Sequence, residues 1–213
     1  KHETFKVPQA FAQALALHTK GQLNEAEYIY SEVLTHRPDH FDALQMLSVI
    51  KLAKGQPAEA LRLISQAMRM RKPSPQILVN YGMILHALER SEEALASFDE
   101  AIKLKPDYGE AFANRAEAYL KKKEYDRAAR DFDEAIRFAP DLEAVWNGRC
   151  WARAILGALQ AALEDCNKAL QSEPDSATAY DSRALIYVKM GPLGSAPGGY
   201  HTSLRVAPQY QSG

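Results

Sequence analysis

Long apolar runs are missing from this chain: no stretch approaches the ~20 residues needed to span a bilayer. Charge of one sign is missing as well, since 26 Lys and Arg against 27 Asp and Glu leave a net −1. Without a clustered basic surface, neither a nucleic-acid backbone nor an anionic membrane is an expected partner. The short basic runs Lys121 to Lys123 and Arg69 to Lys72 fall where helices should end, and there cations complement the helix dipole. Cysteine is scarce: Cys150 and Cys166 make no disulfide framework, which fits a reducing, cytoplasmic setting. There is no secretory signal, and the start at Lys1 reads as a trimmed fragment.

Catalytic signals are equally sparse. His2, His18, His36, His40, His86 and His201 show neither metal-ligand nor triad spacing, and His36 and His40 flank a helix break. No glycine-rich phosphate loop or nucleophile elbow occurs. Cys150 and Cys166 fall at core positions of one expected hairpin, where inert packing is the reading. No catalytic residue, metal ligand or cofactor is therefore expected, and the chain does not read as an enzyme.

What the chain does have is a period. Pro106, Pro140, Pro174 and Pro208 are 34 residues apart, and Pro38 shares their phase. Setting these prolines at the thirty-second position gives units 7–40, 41–74, 75–108, 109–142, 143–176 and 177–210, with a 1–6 extension and a 211–213 tail. Residues not used for the phasing fall into line. The twentieth position is Ala26, Ala60, Ala94, Ala128, Ala162 and Ala196. The eighth is always small (Ala14, Ser48, Gly82, Ala116, Cys150, Ala184). The fourth is Ala10, Leu44, Leu78, Phe112, Trp146 and Tyr180, and the twenty-fourth Tyr30, Ile64, Phe98, Phe132, Cys166 and Tyr200. Small residues let two helices approach while large ones fill the surrounding space. Gly21, Gly55, Gly157 and Gly191 at the fifteenth position end the first helix in a left-handed residue, and the proline stops the second. Each unit is a helix–turn–helix that buries its apolar face only by stacking on its neighbours.

This pattern resembles the tetratricopeptide repeat over residues 7–210. The resemblance implies an all-α solenoid of six hairpins, wound as a right-handed superhelix whose concave groove is lined by the first helix of each repeat. Two repeats depart from the pattern. Lys72 replaces the proline of the second, with Pro73 and Pro75 following. The sixth is degenerate: Pro192, Pro197 and the glycines around them predict a second helix that starts late or is distorted. Gly191 to Ser195 also has the look of a residual protease site, but Tyr200, Leu204 and Pro208 stay in phase beyond it, which favours a natural repeat. No polar capping helix follows, which implies truncation, self-association or a covering partner.

From the resemblance, a protein or peptide partner would meet Phe11, Met46, Val49, Val79 and Met83 as apolar contacts, with Leu15 beside them. Further along it would meet Asn80, Asn114, Glu117, Asn147 and Trp151. Asn80 and Asn114 both occupy the sixth position, and an asparagine amide both donates to and accepts from a peptide backbone. Such a pair is similar to the asparagine ladder of peptide O-linked N-acetylglucosamine transferases; the alternative is local bonding to the helix backbone. A two-carboxylate clamp for acidic chaperone tails is rejected, because Val79, Met83, Ala144 and Gly148 stand where its donors would be. Two functional readings follow: a protein-binding scaffold, or the substrate-recruiting arm of a larger enzyme such as a bacterial glycosyltransferase.

One pairing is expected on structural grounds alone. In an antiparallel hairpin the seventh position lies level with the twenty-third, so Arg115 should pair with Asp131 and Arg149 with Asp165. Arg183 faces Gly199 and lacks that carboxylate.

Overall fold

A computed structural model of the chain describes residues 5–191. Eleven α-helices and no strand occur among them: α1 Val7–Thr19, α2 Leu23–His36, α3 Phe41–Ala53, α4 Pro57–Met68, α5 Pro75–Ala87, α6 Ser91–Leu104, α7 Gly109–Lys121, α8 Tyr125–Phe138, α9 Glu143–Leu156, α10 Leu159–Ser172 and α11 Ala177–Met190. The distorted helix expected after Pro192 and the uncapped end lie outside the described residues. The chain forms two compact units, Lys1–Leu104 and Lys105–Gly213. In the first, α1–α2, α3–α4 and α5–α6 are hairpins, and α3 also touches α5. In the second, α7–α8 and α9–α10 are hairpins, α11 packs on α10, and α9 lies beside both α7 and α11.

The small and large positions of the period form the core. Ala26, Ala60, Ala94, Ala128 and Ala162 are all fully buried, as are Tyr30, Ile64, Phe132 and Cys166. Gly82 shows why the eighth position stays small. A Cβ there would come within 2.5 Å of Phe98 Cε1, closer than real atoms approach. Gly148 is held against the Phe132 ring for the same reason.

Each hairpin turns through the same backbone device. In α1–α2, Gln22 N–H donates to Leu17 C=O and Gly21 N–H to His18 C=O, the paired bonds of a Schellman turn. Arg90 with Leu85, and Glu124 with Tyr119, repeat the long bond in α5–α6 and α7–α8. The residue that must go left-handed is Gly21, Gly55 or Gly157 in three hairpins, but Glu89 and Lys123 in the other two, each at φ 62°. A side chain there crowds its own backbone, so these two turns carry strain that the glycine turns do not. The second helices of the first, third, fourth and fifth hairpins end at His36, Leu104, Phe138 and Ser172, two residues before a proline.

Candidate functional site

The expected arginine–aspartate pairs are present. Arg115 donates from Nε to Asp131 Oδ2 at 2.7 Å and from Nη2 to Oδ1 at 2.8 Å. Arg149 makes the same fork on Asp165, at 2.9 and 2.6 Å. In α5–α6, which lacks both residues, Ser97 at the aspartate's place donates to the Leu78 carbonyl instead. The sequence reading missed an extension of the second fork. Arg153 reaches Asp165 at 2.9 Å and Asp133 at 3.1 Å, and Arg149 reaches Asp133 at 2.6 Å. Two cations and two anions thus close a neutral network that ties α8 to α9 and α10. Arg183 has no carboxylate among the described residues; its Nη1 lies 3.4 Å from Asn167 Oδ1. Arg115, Arg149 and Arg153 are structural, their charge balanced by carboxylates of the fold.

The cysteine reading needs correction. Cys150 and Cys166 are joined in a disulfide across α9–α10, with Cα atoms 5.4 Å apart. The eighth and twenty-fourth positions face each other at the closest approach of the two helices, which is disulfide distance. Cysteines paired in this way give no support to a reducing, cytoplasmic setting.

The residues expected on the groove divide into three groups. Leu15, Met83 and Trp151 are exposed apolar side chains on first helices, the last two at 36%. Phe11, Met46 and Val49 are half-buried. Phe11 lies between Tyr30 and His40, with ring centroids 5.7 and 4.8 Å away, and His40 is itself fixed by accepting the Ala43 N–H. Val79 differs from expectation. It is only 1% exposed, packed into the buried side of α5, and offers a ligand no surface of its own.

The three asparagines all have partners within the fold. Asn80 is largely buried, and its Oδ1 accepts from Gln76 Nε2 at 3.2 Å. Asn114 donates to the Glu110 carbonyl one turn back at 2.8 Å. Asn147 bridges to α11, donating to Thr178 Oγ1 and accepting from Ser182 Oγ at 3.1 Å. Each bond occupies one end of the Asn80 and Asn114 amides, whereas Asn147 uses both. Glu117 is reached by solvent yet crowded by protein, and this desolvation raises its carboxyl above the usual range.

Models of the tetratricopeptide repeat match residues 17–78, 87–143 and 113–177. The chain is a tetratricopeptide-repeat protein. Solved structures of similar fold agree. PilF of Pseudomonas aeruginosa superposes with a TM-score of 0.79 at 19% identity, over 95% of this chain and 92% of its own. A chain of the APC/C hetero-tetramer Cut9–Hcn1 gives 0.85 at 18% identity, over 95% of this chain but 40% of that one. YrrB gives 0.61 at 20% identity, over 84% of this chain and 92% of that chain. No curated protein matches the chain by sequence. At such identities the likeness is one of fold. A tetratricopeptide-repeat array is a protein–protein interaction scaffold, and no described helix is long and apolar enough to cross a membrane.

Proposed function

We propose that this array binds an extended polypeptide segment along the first helices of its hairpins, through apolar anchors supplemented by asparagine contacts to the peptide backbone. The observation that carries this reading is that large apolar side chains are left exposed on first helices, among them Leu15 and Met83 in one unit and Trp151 in the other. Exposed aromatic and methionine side chains are typical anchors for a partner. Val79 drops out of the binding set, while Phe11, Met46 and Val49 keep part of their surface for it. YrrB, of the same fold, is described as having an unusual peptide-binding site, so the architecture is compatible with such a ligand.

The asparagine part of the proposal is narrower than the sequence suggested. Asn80 retains its amide donors and Asn114 its amide acceptor, whereas Asn147 is committed to Thr178 and Ser182. Glu117 would repel an acidic tail, in keeping with the absence of clamp donors at Val79 and Gly148, both buried. The test is the Asn80→Ala/Asn114→Ala variant against a peptide ligand obtained by display selection. Affinity should fall several-fold while the far-ultraviolet dichroism keeps its helical form. Unchanged affinity discards the asparagine contacts and leaves only the apolar anchors.

A further inference from the structure

The α9–α10 hairpin is packed differently from the four before it. In those, the facing eighth and twenty-fourth positions pair a small residue with a large one: Ala14 with Tyr30, Ser48 with Ile64, Gly82 with Phe98, and Ala116 with Phe132, all buried. In α9–α10 both positions are cysteine. Among the described residues the buried cluster there consists of Cys150, Ala154, Ala162, Cys166 and, from α11, Ile186, with Leu159, Leu163, Leu185 and Met190 at its edge. Among the described residues of this cluster no ring fills the space that Phe98 or Phe132 fills elsewhere, so van der Waals contact between the two helices is thinner. The covalent bond takes the place of that contact.

We propose that the Cys150–Cys166 disulfide is a redox-controlled staple, and that its reduction loosens α9, α10 and α11 while the rest of the array stays folded. Oxidation proceeds by thiol–disulfide exchange with a low-molecular-weight disulfide such as oxidised glutathione. One cysteine thiolate attacks a glutathione sulfur and expels a glutathione thiolate, forming a mixed disulfide. The second cysteine thiolate then attacks the protein sulfur of that intermediate and expels the second glutathione. Two protein thiols have become one disulfide, and two electrons and two protons have passed to two molecules of glutathione. A dithiol reductant runs the sequence backwards. Both sulfurs are fully buried, so exchange on the folded protein waits for the hairpin to part, and reduction is slow until it does. The Arg149–Asp165 fork stands next to the staple on both helices, so parting the hairpin also opens the fork.

The full chain is equilibrated with oxidised glutathione, denatured in the presence of iodoacetamide, and weighed by mass spectrometry. No alkylation is expected without prior reduction, and two alkyl groups are expected after dithiothreitol. Dithiothreitol should lower the melting temperature by roughly 5–10 °C, as loss of a loop closure of this size implies. Amide exchange should rise in α9 to α11 and stay constant in α1 to α6. The variant Cys150→Ala/Cys166→Phe copies the Ala116–Phe132 pair, so it should melt above the reduced wild type and ignore dithiothreitol. If the phenyl ring does not fit, Cys150→Ala/Cys166→Ala should melt like the reduced wild type. Two free thiols persisting after oxidised glutathione would overturn the proposal. So would equal melting temperatures with and without dithiothreitol, or a cysteine-free variant as sensitive to dithiothreitol as the wild type.

Discussion

Arg149 and Asp165 face each other across α9–α10 in a two-bond fork, one repeat after the same fork between Arg115 and Asp131. The Asp165 carboxylate is 4% exposed and the Arg149 side chain 12%. Removing one partner of so buried a pair leaves the other charge desolvated and uncompensated. Asp165→Asn, which leaves Arg149 and Arg153 to share Asp133 and so one positive charge uncompensated, should therefore cost about 3 kcal/mol in urea unfolding. Replacing both partners, as Arg149→Met/Asp165→Leu, should cost much less. A single substitution within 1 kcal/mol of wild type would show that the fork contributes nothing.

The two strained turns offer the opposite result. Glu89 and Lys123 adopt the left-handed conformation that glycine fills in the other hairpins. Glu89→Gly and Lys123→Gly should each stabilise the chain by roughly 0.5–1 kcal/mol, because relief of strain exceeds the entropy glycine adds to the unfolded state. Thermal denaturation of the two variants measures this. A lower melting temperature in both would mean that the side chains at these turns matter more than their backbone geometry.

How much of this was legible in the sequence depends on whether a residue's period or its chemistry carried the information. The hairpins, their alanine contacts and the Arg115–Asp131 fork follow from counting positions, because an antiparallel helix pair fixes which residues are level. The left-handed Glu89 and Lys123 were equally implied by the count, but neither residue type signals that conformation. The disulfide was hidden because a cysteine at a buried core position reads the same whether or not it is bonded. Asp133 reads in the sequence as one more solvated acid, whereas the fold sets it between Arg149 and Arg153. Val79 was misassigned because α5 is apolar almost all round, so its pattern does not mark which stripe remains exposed.

A second charge cluster gives a pH-dependent prediction. Glu27 meets Lys51 at 2.7 Å and Lys54 at 2.5 Å, and these bonds hold its carboxyl below the ordinary value of 4.5. A depressed folded-state pKa means that the stability it contributes is fully present above the unfolded value. That stability is lost as the pH falls through the folded one. Glu27→Gln should thus cost about 1 kcal/mol at neutral pH, and the gap to wild type should close at acidic pH. A gap that stays constant from neutral to acidic pH would rule out the carboxylate as its source.

The central claim is that the partner lies on the first helices of the hairpins. It is tested most directly by selecting ligands from a random-peptide display library on the purified chain and measuring the best one by calorimetry against four variants. Met83→Glu and Trp151→Ala remove exposed first-helix anchors, whereas Arg62→Glu and Arg130→Glu alter exposed sites on the second helices α4 and α8. Each of the first two should lose roughly tenfold or more in affinity, about 1.4 kcal/mol. The last two should bind as the wild type does. Binding that survives both first-helix substitutions, or that is lost on changing Arg62 or Arg130, would contradict the central claim.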